Sequence, residues 1–300
     1  PRRRGEIRWS RCGAFLDSRY SWENGRSSLP TGRLDNPLAS LAFFSVEPSG
    51  PVAVCTLDKP PANTLDEDLY AEIDLLVTGL ELSDDIRAAV IASAHPSIFV
   101  AGADIKRMAG YDFRPGATGR KVDLVHAAFR RIERVGIPTV AAIAGHALGG
   151  GCELALACDF RVMSQGDARI GLPEIGLGII PGGGGTQRLP RLVGRARATE
   201  LLMLGTRLDA AAAERIGLVT RACPTPEETL AEAVALAGRL AEMPAPGLRL
   251  IKRCLAEGAF GDLEHGLAIE RDAVVEALGQ PEAREGIAAF VERRPPRFHG

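Results

Sequence analysis

The sequence predicts a mixed α/β fold in which strand pairs alternate with helices as repeated β-β-α units, followed by a helical C-terminal region. Three observations carry this. Short apolar, β-branched runs recur between residues 41 and 172, separated by segments of helical periodicity. Glycine-rich stretches follow or join those runs at 99–108, 145–153, 170–178 and 179–188. From about Pro224 onward the pattern is helical throughout.

Taken in order, LAFFSV (41–46) and PVAVCTL (51–57) read as strands, and the EPSG between them predicts a hairpin. Leu65, Leu69, Ile73, Leu76 and Leu80 then stand at helical spacing, with Thr64 or Asp66 as the cap. RAAVIAS (87–93) is a buried strand, DLVHAAFRRIERV (123–135) an amphipathic helix with basic residues outward, and PTVAAIAG (138–145) a further strand. A glycine-led helix follows within GHALGGGCELALACDF (145–160), after which FRVMS (160–164) and ARIGL (168–172) are expected to form a second hairpin. Helices are predicted in 226–243, 247–260, 269–279 and 282–294. The organisation expected is an N-terminal extension over 1–40, a core over 41–223 and a helical region over 224–300.

Composition sets the class. With 46% hydrophobic and 25% charged residues the chain is globular, neither disordered nor collagen-like. Its net charge of −2 gives no electrostatic reason for a nucleic-acid partner. Gly, Pro or a charge interrupts every apolar run before the ~20 residues a membrane span needs, so no membrane partner is expected. The six cysteines form no C-x-x-C pair and read as reduced thiols of a cytosol-like compartment. Residues 1–40 carry eight arginines against four acidic residues and no hydrophobic periodicity, which reads as a disordered extension or an organelle-targeting leader. Cytoplasmic location is expected, or an organelle matrix if that leader is a targeting segment.

Glu153 lies among glycines, alanines and leucines with no cation near it in sequence. Burying an ionised carboxylate costs several kcal/mol unless it is paired or protonated, so this residue asks for a chemical explanation. Glu174 lies in similar company, between Leu172, Pro173, Ile175 and Leu177. Two such carboxylates, each beside a glycine-rich loop, can titrate as a coupled pair in which one accepts a proton while the other donates. The AGAD and GGGC stretches are glycine-rich helix starts, whose unpaired N–H groups can hold an anion or a developing oxyanion; equally, the glycines can serve close helix–strand packing. The glycine run 182–185 lacks the Lys-Ser/Thr of a phosphate loop, and no G-x-G-x-x-G opens a helix with an acid about 20 residues on. No His/Cys cluster suggests a metal, no G-x-S-x-G elbow is present, and Cys152 has no histidine placed to activate it. His95 and His126 have no spaced partners, and His146 can line a pocket or simply pack.

Together these stretches resemble the enoyl-CoA hydratase/isomerase, or crotonase, family over roughly residues 41–300. The resemblance rests on LDKPPANTL (57–65), FVAGADIKRM (99–108), GHALGGGCELALACDFRV (145–162), IGLPEIGLGIIPGGGGTQRLPRLVG (170–194), AAERIGLV (212–219) and EGIAAFVERRPPRF (285–298). It implies a crotonase-like spiral of β-β-α units that acts on an acyl-CoA thioester. The oxyanion-hole N–H groups would be those of Ala103 and Gly150, the acid–base pair Glu153 and Glu174, and Gly182 would help hold the water. Ala62, Ala101, Asp104, Ile105 and Lys106 would meet the CoA. The implied activity is hydration of a 2-enoyl-CoA, with enoyl-CoA isomerisation, branched-chain hydration and a non-catalytic scaffold as alternatives. It implies no metal and no cofactor beyond the CoA of the substrate, and a homotrimer or dimer of trimers. Two features depart from the family pattern: the turn between the glutamates is one residue longer, and Val274 stands where some relatives carry an aromatic that reaches CoA across a subunit boundary.

Overall fold

In the computed structural model, residues 37–298 are described, so the expected N-terminal extension lies almost wholly outside them. β1 (Phe44–Ser49) and β2 (Val52–Leu57) form the expected hairpin, antiparallel from Phe44 opposite Leu57 to Ser49 opposite Val52. Gly50 supplies the positive φ, +60°, that so tight a turn needs. After β3 (Thr64–Leu65) comes α1 (Glu67–Leu82), capped by Asp66 rather than Thr64: the Asp66 carboxylate accepts the Leu69 N–H at 3.1 Å. α1 buries Leu69, Ile73, Leu76, Val77 and Leu80 along one stripe.

The next unit is β4 (Ala88–Ser93), β5 (Ile98–Val100), β6 (Gly102–Ala103), the short α2 (Ile105–Met108) and α3 (Pro115–Arg134). α3 begins eight residues before the predicted start. Pro115 opens it, and its polar first turns carry no apolar periodicity to announce them. β7 (Thr139–Ile143), β8 (His146–Leu148) and α4 (Gly150–Ala157) repeat the pattern, as do β9 (Phe160–Ser164), β10 (Ile170–Gly171) and α5 (Gly185–Val193). α6 (Arg195–Leu204), β11 (Arg207–Leu208), α7 (Ala210–Arg215) and β12 (Arg221–Cys223) lead to the four expected helices, α8 (Pro226–Ala241), α9 (Ala245–Glu257), α10 (Leu263–Leu278) and α11 (Pro281–Glu292).

Among the described residues, only the first strand pair is a hairpin. One sheet has the order β1-β2-β4-β7-β9-β12 and a second β11-β10-β8-β5, so each later unit gives one strand to each sheet before its helix. The second hairpin expected from FRVMS and ARIGL is therefore not formed. β9 pairs parallel with β7 and β12, whereas β10 pairs parallel with β8 and antiparallel with β11. Both segments are apolar enough to be buried, and period-two patterning does not say which neighbour a strand takes.

Central strands are apolar on both faces because both are covered. In β4, Ala89 and Ile91 face the main core with Leu69, Phe99 and Phe129, while Ala88, Val90 and Ala92 face Ala233, Ala237 and Ala241 of α8. The alanines recur every fourth residue, so α8 lies close on the sheet. Truncating a fully buried core aromatic such as Phe99 should cost about 3–5 kcal/mol. α9 is fastened by Lys252, whose Nζ donates to Ile137 O at 2.8 Å and pairs with Asp159 Oδ2 at 2.6 Å. No helix among the described residues is long and apolar enough to cross a membrane.

Candidate active site

Glu153 sits in the first turn of α4, where the helix dipole favours a carboxylate. It is 3% exposed. Its Oε1 accepts two N–H groups, from Gly183 and Gly185, each at 2.7 Å. Oε2 accepts none from the described residues and faces the Gly183 Cα, where a Cβ would lie 2.6 Å away. Burial raises the pKa of Glu153; the N–H groups of Gly185 and Gly183, and then the Arg188 charge, work against that rise.

Glu174 opens a single 3-10 turn, Glu174–Leu177, that ends on Gly178. The small sheet brings it to α4: Gly171 pairs with Leu148, and Gly149 N donates to Gly171 O at 2.9 Å. A Cβ on Gly149 would come 3.2 Å from Glu174 Oε1. Oε2 of Glu174 is buried without a partner among the described residues. Burial, aided by the nearby Glu153 charge and opposed by its own backbone N–H, pushes its pKa up to about 7.

The two backbone donors lie together. Asp104 N donates to Leu65 O in the β3–β6 ladder, and because successive strand residues point to opposite sides, the Ala103 N–H turns away from β3. On that side is the start of α4: a Cβ on Gly150 would lie 3.7 Å from Ala103 N, and one on Gly102 3.4 Å from Gly150 N. Gly150 N is among the first donors of α4, which have no carbonyl within the helix to bond. Gly151 must be glycine, since its Cβ would sit 2.0 Å from Val100 O. Two N–H groups and two carboxylates, one of them held by only one oxygen, thus converge where β6, α4 and the Glu174 turn meet.

A family model described as enoyl-CoA hydratase/isomerase matches residues 47–300. The chain belongs to that family. Crotonyl-CoA hydratase of Syntrophomonas wolfei is 40% identical over 252 residues, covering 82% of this chain and 94% of the relative. Short-chain-enoyl-CoA hydratase of Clostridium acetobutylicum is 38% identical over 251 residues, 83% and 94% of the two chains. The crystal structure of enoyl-CoA hydratase from Bacillus anthracis superimposes with a TM-score of 0.79 at 35% identity, over 86% of this chain and 99% of that one. The fold is therefore the crotonase-like spiral, and the chain is an enzyme of the hydratase (lyase) type.

For this enoyl-CoA hydratase/isomerase family member, the remaining expected residues fall along one strip. Ala62 O accepts the N–H of exposed Ala101 at 3.2 Å, tying the PPAN loop to β5 and β6. Asp104 caps α2 through Arg107 N at 3.0 Å, and Ile105 and Lys106 are exposed on that turn. Gly182 is exposed and gives Glu153 no bond; the donors are Gly183 and Gly185, which sequence reasoning missed. A run of four glycines offers no register by which to choose among them. Arg188 was also missed, although GTQR places it one turn into α5. Burial lifts the Cys152 thiol far above its usual pKa, which removes it as a nucleophile. The five described cysteines are all free. Val274 is half exposed on α10. A cavity of about 440 Å³ lined by Arg130, Glu133, Gly184, Arg188, Arg191 and Phe260 includes neither Glu153 nor Glu174 and lies against the 183–185 loop.

Proposed function

We propose that the protein hydrates a 2-enoyl-CoA thioester to the 3-hydroxyacyl-CoA. The observation that carries the reading is the pair of incompletely bonded carboxylates, Glu153 and Glu174, beside the neighbouring backbone N–H groups of Ala103 and Gly150. The thioester oxygen would accept from Ala103 N–H and Gly150 N–H. As charge moves onto that oxygen, each donor would contribute about 2.7–4 kcal/mol. A water between the glutamates would lose one proton to Glu174 while its oxygen bonds to the β-carbon. The electron pair of the double bond passes to the α-carbon and the thioester oxygen, and a proton from the carboxyl pair completes the α-carbon. Its pKa of about 7 suits Glu174 to the base role near neutral pH. Glu153 would hold the water through its free oxygen, with Gly182 N–H as a further donor.

Ala62, Ala101, Asp104, Ile105 and Lys106 would line the CoA. No metal or separate cofactor enters the scheme, because water, carboxylates and N–H donors supply every step. The names of the relatives favour a short acyl chain and a place in fatty-acid metabolism. Large apolar side chains on the C-terminal helices stay uncovered, among them Leu263, Val275, Ile287, Phe290 and Val291. A monomer rarely leaves so many large apolar side chains exposed on its terminal helices, so a trimer-based oligomer is proposed.

The test is spectroscopic. Crotonyl-CoA should lose its conjugated-thioester absorbance on adding the enzyme, and a 3-enoyl-CoA should turn over far more slowly. Turnover of the 3-enoyl thioester alone would mark an isomerase, and turnover of neither a scaffold. A stable monomer at micromolar concentration by sedimentation would contradict the assembly.

A further inference from the structure

Beyond the loop that holds Glu153 lies a half-buried arm that the hydration scheme does not use. Arg188, one turn into α5, is only 16% exposed. Its Nη1 donates to Gly183 O at 2.9 Å. The other side of its fork grips Glu133 of α3, with Nη2 to Oε2 at 2.9 Å and Nε to Oε1 at 3.3 Å. The bidentate clasp fixes the guanidinium plane, and with it the direction in which Nη1 points.

The carbonyl it holds is significant. Gly183 O belongs to the peptide joining Gly183 to Gly184, and the N–H groups that bind Glu153 belong to the peptides on either side. Arg188 therefore grips the middle of three successive peptides whose outer two form a concave anion cradle. Gly184 permits the approach: its φ is +100°, and a Cβ there would lie 2.3 Å from Arg188 Nη1. Were the middle peptide to rotate, both N–H groups would leave Glu153 Oε1 together.

We propose that Arg188, braced by Glu133, is a positioning residue for Glu153: it locks the 183–185 loop so that Oε1 stays saturated and Oε2 alone faces the water. This rests on Glu153 acting as proposed above. The arm also brings a positive charge to bear on Glu153, opposing the effect of burial. The other titratable groups around Glu153 are Glu174 from its turn, Tyr70 from α1 and the adjacent Cys152 thiol, and none of them supplies a positive charge.

The experiment compares Arg188→Met, Arg188→Lys and Glu133→Gln with Glu153→Gln in the full chain, by kcat, KM, pH–rate profile and Tm on crotonyl-CoA. Arg188→Met should lower kcat at least tenfold with KM within about twofold, because the CoA strip is untouched. Its acidic limb should move to higher pH, since losing the cation leaves Glu153 easier to protonate. Arg188→Lys keeps a charge but not the fork, so its limb should stay near the parent's while kcat still falls. Glu133→Gln, which keeps one acceptor, should fall least. Parental kcat and pH limb in Arg188→Met, in a protein where Glu153→Gln is inactive, would overturn the inference. So would a rate loss that merely tracks the folded fraction and leaves the limb in place. Near-parental activity of Glu153→Gln would instead strike the reading on which it rests.

Discussion

Glu72 and Glu153 are both buried carboxylates on helices, 6% and 3% exposed, and both are held by backbone N–H groups. They differ in what is left over. Glu72 Oε1 accepts Phe43 N at 2.6 Å and Phe44 N at 2.8 Å, and Oε2 accepts Ala42 N at 3.0 Å. Both its oxygens are spent on tying the chain before β1 to α1. Glu153 has both its bonds on one oxygen and leaves the other without a hydrogen bond from the described residues, in a carboxylate whose charge reaches Glu174. Burial alone does not mark a functional carboxylate; an unspent oxygen beside a second unspent carboxylate does.

The contrast can be broken first at the cradle. Gly183→Ala should cost activity more than a hundredfold, because the new methyl would sit 2.6 Å from Glu153 Oε2 and 2.7 Å from Phe129 Cε2, and small misplacements at a reacting centre are expensive. Steady-state kinetics on the folded variant checks it. Glu72→Ala should do the reverse. It leaves three N–H groups unpaired, for a stability loss of about 3 kcal/mol by urea titration, with kcat per folded molecule within twofold of the parent.

Titration sharpens the comparison further. If Glu174 must be ionised to take the proton, kcat/KM should fall as pH drops through about 7, with an apparent value that belongs to the coupled pair. A flat profile from pH 6 to 8 would contradict this. The smallest effect is on stability. A carboxyl raised from 4.5 to about 7 destabilises the fold wherever it is ionised, so the cost is full above pH 7 and fades as pH falls toward 4.5. Glu174→Gln should therefore stabilise the protein at pH 8 by about 1 kcal/mol, allowing for solvent screening at this half-exposed position, with the gain disappearing near pH 4.5. Thermal melts at the two pH values measure it.

What the sequence made legible was local. The α1 stripe, the buried strands, the C-terminal helices and the two acids in apolar company all follow from periodicity and from the cost of burying charge. What it hid was non-local or degenerate. Parallel pairing of β10 with β8 carries no signal within either segment, so the strand leading to Glu174 looked like half of a hairpin. Four consecutive glycines concealed which two N–H groups bind Glu153. Arg188 and Glu133 resemble ordinary surface charges until α3 and α5 are brought together. Glu72 did leave a trace, for it lies three residues after Leu69 and four before Leu76, on the apolar stripe where an acid needs a partner.

The central claim is that Glu153 and Glu174 act together on one water, and the most direct measurement is hydration of crotonyl-CoA by Glu153→Gln, Glu174→Gln and the double variant, with CoA-ester binding measured on each. Each single change should lower kcat at least a hundredfold, the double should be little worse than either, and binding should persist because the Ala103 and Gly150 donors are backbone groups. Near-normal hydration by Glu153→Gln, or losses that multiply in the double variant, would contradict it.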